Sequence, residues 1–122
     1  MNKAMNIKLS IYPIVMKDMK YNWKGEEITN DEFTSYAILA TQKLCKWLPI
    51  KTEFLLSFNE KQYCYMYPEI PNLIKNGKDI NVEFIGKDVH NSIHHCTRFK
   101  NKEHACLVID LMHQNPNKFI LA

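Results

Sequence analysis

One long segment near the middle of the chain, residues 29–48, repeats its apolar residues at intervals of three and four positions. Thr29 and Glu32 at its start have the spacing of a capping box, in which each residue satisfies a backbone N–H of the first helical turn. The apolar residues that share one helical face are Phe33, Tyr36, Ala37, Ala40, Leu44, Trp47 and Leu48. Because Pro49 then ends the pattern, we predict a helix over 29–48 that packs on a sheet.

Two apolar residues of this predicted helix, Ile38 and Leu39, lie well away from its apolar face. The solvent side of a surface helix is ordinarily polar, so both residues need a covering. The segment before the helix, with Trp23 as its expected anchor, is one candidate for that covering. A partner protein is the other, so Ile38 and Leu39 are candidate partner-binding residues.

Several other segments carry alternating or continuous runs of apolar residues. Alternation with a period of two is typical of a strand with one buried face, and a short continuous run rich in β-branched residues suits a central strand. The predicted strands cover residues 7–11, 52–58, 62–67, 80–84 and 105–112, and a short edge strand is expected at 118–122.

Two further segments suit short helices. Residues 71–77 begin with proline and end on glycine, which is the usual asymmetry of helix termini. Residues 88–96 fit either a helix or a strand, and we favour a helix up to His95. Together with the longer segments, they predict an α+β domain with a mainly antiparallel sheet of about five strands, one long helix packed on one face and one or two short helices.

The strands predicted at 52–58 and 62–67 can be paired across a three-residue loop so that their apolar residues share one face. In that hairpin Tyr63, Tyr65 and Tyr67 all point to the other side. Tyrosine brings large contact area to protein interfaces at low entropic cost. We therefore take these three tyrosines as candidate partner-binding residues, with a second layer of the protein's own core as the structural alternative.

Length and composition agree with a single domain. The 122 residues are 46% hydrophobic and 24% charged, which is ordinary for a globular protein. No apolar run approaches the ~20 residues of a membrane-spanning helix, and the N-terminus does not resemble a signal peptide. We expect one domain over 1–122, a cytoplasmic location, no membrane partner and reduced cysteines.

The net charge of +3 comes from fifteen lysines and one arginine, Arg98, set among thirteen acidic residues. Readers of bases and phosphates favour the planar guanidinium, and the lysines form no run. Nucleic acid is therefore ranked below protein as a partner.

Histidines and cysteines cluster in the last third of the chain, where all five histidines lie. If residues 88–96 are helical, His90 and His94 are four positions apart on one face, the spacing by which two imidazoles can share a metal ion. Further ligands could come from Cys96, His104 and Cys106, and zinc would suit such a set. No established zinc signature is present, so ordinary hydrogen-bonded histidines are the simpler interpretation.

Two catalytic interpretations of the same region are weaker. His95 and Thr97 match one half of the paired H-x-T arrangement of some phosphodiesterases, but the other half is absent. A thiol nucleophile at Cys96 or Cys106 beside a histidine is also conceivable. Neither interpretation is supported by a phosphate-binding loop or a nucleophile turn.

The leading functional hypothesis is a small binding module that inhibits another protein stoichiometrically, as toxin-neutralising immunity proteins and phage anti-defence inhibitors do. Small size, surplus apolar surface and the absence of a catalytic motif favour it, as does a composition rich in lysine, asparagine and isoleucine. The rival is a metal-binding protein, hydrolase or nuclease that uses the C-terminal histidines and cysteines. A third possibility is a homodimer formed through the same apolar groups.

Overall fold

The computed structural model describes residues 7–21, 23–43, 51–59, 64–65, 69–88 and 92–121. Its elements in chain order are β1 (Ile7–Tyr21), β2 (Glu27–Lys43), β3 (Lys51–Phe58), β4 (Cys64–Tyr65), α1 (Glu69–Lys75), β5 (Ile80–Gly86), α2 (Ser92–His95), β6 (Arg98–Phe99), α3 (Lys102–Gln114) and β7 (Phe119–Leu121). The predicted α+β class is therefore confirmed. No helix in these ranges is both long and apolar enough to cross a membrane.

The seven described strands form one sheet in the order β4-β6-β2-β3-β5-β7, with β1 on the remaining edge of β2. The long pairings are antiparallel, and β4–β6 and β5–β7 are short parallel ones. One edge of β2 pairs with β1 along nearly its whole length. The other edge pairs first with β6, at Tyr36 opposite Phe99, and then with β3. A mainly antiparallel sheet is thus confirmed, and β2 is its central strand.

The prediction of a helix over 29–48 is wrong, because residues 27–43 form the strand β2. Residues 35–40 are buried or half-buried without a break, since both faces of the sheet are covered there. A strand buried on both faces reads as a continuous apolar run, which periodicity cannot separate from a helix. Thr29 and Glu32, which resembled a capping box, instead pair with Lys20 and Lys17 of β1. Residues 44–48 lie outside the described ranges.

The long helix of the fold is α3, where a strand was predicted over 105–112. Ala105 and Val108 are three positions apart and buried, whereas Cys106 and Leu107 between them are exposed. The apolar residues on the outer side of α3 hid its helical period. At its end, both the backbone N–H and the side-chain amide of Asn115 donate to the Leu111 carbonyl.

The prediction of a hairpin between 52–58 and 62–67 is also wrong, because β3 pairs with β2 and β5 and not with β4. Directly after β3, Asn59 adopts a left-handed φ of 50°, a conformation that asparagine tolerates better than most residues. Its backbone N–H donates to the Asn81 carbonyl at 2.8 Å, and its side-chain oxygen accepts from the Asn81 N–H at 2.9 Å. The chain is thereby tied to β5.

Other predictions are confirmed in outline: strands cover 7–11, 52–58 and 80–84, a short strand lies within 118–122, and short helices occur at α1 and α2. The first strand is longer than predicted, because β1 continues to Tyr21. Apolar side chains cover both faces of the sheet. The first core lies between the sheet and helices α1 and α3, and includes Ile38, Leu56, Phe58, Phe99 and Val108. The second core, on the opposite face, comprises Ile14, Ala37, Leu55 and Cys96, with Tyr12, Leu39, Ile85 and Ile93 packed against it.

Candidate functional site

The strands β1 and β2 continue past the rest of the sheet as a two-stranded hairpin, which we call the arm and define as residues 15–21 and 23–34. Its base is marked by the buried pair Ile14 and Ser35. From there to the turn, β2 pairs with no described strand except β1. At ~3.3 Å per residue, the seven residues of β1 and the eight of β2 that lie in the arm extend it by roughly 20–25 Å.

The turn of the arm includes residues 23–26, all four of which are exposed. Gly25 has a φ of +83°, and no atom lies within 4 Å of where its Cβ would be. Trp23 is 89% exposed, with the Lys24 Nζ 5.1 Å from its ring centroid. The expectation that Trp23 anchors this segment to the core is therefore wrong. A tryptophan this exposed at the end of a projecting hairpin is available to another molecule.

The base of the arm exposes two more large apolar side chains. Val15 is 62% exposed and Phe33 is 47% exposed. Val15 pairs with Thr34, so Phe33 lies one position further along and faces the opposite side of the ribbon. Both faces of the arm therefore carry an apolar side chain, which suits a partner surface that contacts the ribbon from two sides.

Ile38 and Leu39, the two predicted partner-binding residues of the central segment, are covered by the protein itself. Ile38 is fully buried in the first core, and Leu39 packs against the second core. Successive residues of a strand point to opposite faces, which explains why the two belong to different cores. The surplus apolar surface expected here does not exist, and the exposed apolar residues lie on the arm instead.

The predicted tyrosine row cannot form as a face of a β3–β4 hairpin, because those strands do not pair. Tyr65 lies in β4, opposite Phe99 of β6. Tyr63 and Tyr67 lie outside the described residues.

The predicted metal ligands are spread over different environments. His94 on α2 is exposed, Cys96 is buried, and His104 and Cys106 lie two positions apart on α3, which separates them by about 200° around the helix. Within the described ranges, no three or more His, Cys, Asp or Glu side chains are grouped to hold a metal ion. His90 lies outside the described residues.

The groups behind the catalytic interpretations are also separated. His95 is exposed, whereas Thr97 is buried and its hydroxyl accepts a hydrogen bond from the Phe58 N–H. Burial raises the pKa of the Cys96 thiol from 9.0 to about 11, although the positive charge of Arg98 acts in the opposite direction. Its Sγ lies 3.6 Å from the Ile93 carbonyl. A protonated, buried thiol is a poor nucleophile.

Two buried polar side chains were not among the predicted site residues. Arg98 and Ser35 lie in adjacent strands, and the Arg98 Nε and the Ser35 Oγ are both buried with no hydrogen-bond partner. The one signal in the sequence was that Arg98 is the single arginine of a lysine-rich chain.

The chain matches no protein-family model, and no curated protein or solved structure is significantly similar to it.

Proposed function

We propose that this protein is a small cytoplasmic binding module that inhibits a partner protein by stoichiometric occlusion, and that the arm is its contacting element. The observation that carries the proposal is the position of Trp23, Val15 and Phe33, which are exposed along one projecting hairpin. Scattered single apolar residues are normal on a protein surface. Three of them on one extended element, including a tryptophan, suit an interface because Trp is enriched among energetically dominant contacts.

The shape of the arm favours insertion over flat docking. A two-stranded ribbon is roughly 10 Å wide, since neighbouring strands lie ~4.8 Å apart, and it is thin enough to be contacted on both faces. An isolated hairpin is only marginally stable in water, so a partner that covers both faces would also stabilise the ribbon. A ribbon about 20 Å long can fill a cleft and thereby exclude a substrate from it.

The partner class we propose is a toxin or a defence enzyme, for which occlusion of an active-site cleft is sufficient for inhibition. The small size of the chain and its lysine-, asparagine- and isoleucine-rich composition support this class, since such a composition is expected from genomes rich in A and T. A net charge of +3 makes the chain a poor mimic of nucleic acid, so the apolar arm and not charge would supply the affinity.

Arm-dependent capture tests the proposal. The tagged protein is purified from the organism that encodes it, beside a Trp23→Ser, Phe33→Ser double variant and a Leu107→Ser control. Leu107 is a matched control because it is 42% exposed and lies on α3, which is not part of the arm. We expect the wild type and the control to retain one protein at a one-to-one ratio by native mass spectrometry, and the double variant to lose it.

Equal retention by all three proteins would contradict the arm as the contacting element. A complex with twice the mass of the chain would mean that the arm binds a second copy, not an inhibited partner.

A further inference from the structure

Arg98 in β6 is an ionised side chain in an environment that does not balance its charge. It is only 7% exposed, and its Nε is completely buried without a hydrogen-bond partner. Among the basic residues whose burial the structure describes, Arg98 is the single buried one. A lysine-rich chain thus places its one arginine where a planar, multidentate donor is enclosed.

An arginine cannot relieve this burial by losing its proton, because guanidinium remains charged at any pH a protein tolerates. A buried charge is ordinarily compensated by an opposite charge and by hydrogen bonds to its remaining protons. A bound anion would therefore compensate the buried charge of Arg98.

The described residues do not supply that anion. Glu53 lies two positions before the second-core residue Leu55 and therefore on the same face of β3. Its carboxylate forms an ion pair with Lys87, whose Nζ lies 3.2 Å away. That hydrogen bond is the main reason that the pKa of Lys87 is raised. Cys96 is close enough to Arg98 for their charges to interact, but its thiol stays protonated at neutral pH because burial raises its pKa to about 11.

A second unpartnered donor lies on the same face of the sheet. Tyr36 of β2 is opposite Phe99 of β6, so the antiparallel register places Ala37 opposite Arg98 and Ser35 diagonally next to it. Diagonal neighbours on one face are ~7 Å apart at the backbone, within reach of a long side chain. Ser35 is 1% exposed, and its Oγ is buried without a partner.

We infer that Arg98 and Ser35 together form a binding site for an oxyanion, either a carboxylate or a phosphate group. A guanidinium offers two parallel N–H donors to two oxygens of such a group, and the serine hydroxyl can donate to one of them. The site lies on the face of the second core, at the base of the arm. It is distinct from the apolar contact proposed for the arm and does not depend on it.

Thermal unfolding in the presence of simple anions tests the inference. Inorganic phosphate and acetate are titrated separately, against sodium chloride at equal ionic strength. A ligand that binds only the folded protein raises the Tm in a saturable way. We expect phosphate, acetate or both to do so, and the responding anion distinguishes a phosphate site from a carboxylate site. Isothermal titration calorimetry with that anion gives the dissociation constant.

Three variants assign the effect to the site. Arg98→Met should abolish the saturable shift, and Ser35→Ala should weaken the affinity about tenfold, as expected for one lost hydrogen bond to a charged group. Lys75→Met is the control, because Lys75 is exposed on α1, which packs on the opposite face of the sheet. It should bind the anion as the wild type does.

The unliganded Arg98→Met variant gives a separate readout. Removing an unpaired buried charge should leave its Tm at or above the wild-type value. If this variant fails to fold, Arg98 is a structural residue and the Ser35→Ala variant decides the question. An unchanged affinity in Ser35→Ala then overturns the inference. Absence of any saturable shift, or an equal loss in Lys75→Met, also overturns it.

Discussion

The Thr97 hydroxyl accepts a hydrogen bond of 2.8 Å from the backbone N–H of Phe58, a residue 39 positions earlier in the chain. The Thr97 N–H in turn donates to the Leu56 carbonyl at 3.0 Å. These two bonds fasten the residue before β6 to the end of β3, at the point where β2 stops pairing with β3 and begins to pair with β6. The hydroxyl of the predicted H-x-T arrangement therefore joins two strands of the sheet.

Replacing Thr97 with valine should destabilise the protein. Valine has nearly the same shape but leaves the buried Phe58 N–H without a partner, which costs about 1–3 kcal/mol. The free energy of unfolding from denaturant titration measures the effect. Thr97→Ser is the control, because serine keeps the hydroxyl, and it should lose less stability than valine. Equal stability of the valine variant and the wild type would contradict the structural role.

The Cys96 thiol should be unreactive in the folded protein at neutral pH. It is buried and its pKa is raised to about 11, whereas Cys106 on α3 is exposed. Brief treatment with iodoacetamide, followed by peptide mapping, should modify Cys106 and leave Cys96 unmodified. Labelling of Cys96 at the rate of Cys106 would contradict its burial.

The same thiol should make stability depend on alkaline pH. The folded protein holds the Cys96 proton more tightly than the unfolded chain, whose cysteine has the ordinary pKa of 9.0. The resulting contribution to stability is complete below pH 9.0 and is lost as the pH rises towards about 11. Cys96→Ala should therefore show a shallower decline of unfolding free energy over that range. Parallel curves for the variant and the wild type would refute the shift.

Truncation of Ile38 and Phe33 distinguishes the observed strand from the predicted helix. In β2, Ile38 is fully buried and Phe33 is 47% exposed. Ile38→Ala should cost about 2–5 kcal/mol, while Phe33→Ala should change stability by only about 0.5 kcal/mol. The helix prediction requires the opposite order, since it placed Phe33 in the core and Ile38 outside. Denaturant unfolding of the two variants decides between them.

The sequence predicted the fold class better than the elements that form it. Segments such as 7–11 and 80–84 are predictable as strands because their apolar residues alternate, and these apolar residues pack in or against the first core. The central strand was misread because burial on both faces removes the alternation. The helix α3 was misread because Cys106 and Leu107 make its outer face apolar. In both cases tertiary packing, not local pattern, decides which residues are buried.

The candidate site was less predictable than the fold. The exposure of Val15 and Phe33 follows from the extension of β1 and β2 beyond the sheet, whereas in the sequence both residues resemble core residues. Arg98 and Ser35 are separated by more than sixty positions and meet through the β2–β6 register. Because β6 has only two residues, it leaves no periodic pattern in the sequence from which its pairing with β2 could be predicted.

Site-specific photo-crosslinking tests the central claim, that the arm is the surface which contacts a partner protein. A photoreactive phenylalanine analogue replaces Trp23 in one protein and Leu107 in another, and both are illuminated in cells of the native organism. We predict that the probe at position 23 captures one partner protein and that the probe at position 107 does not. Capture of the same protein from position 107, or no adduct from position 23, would contradict the account.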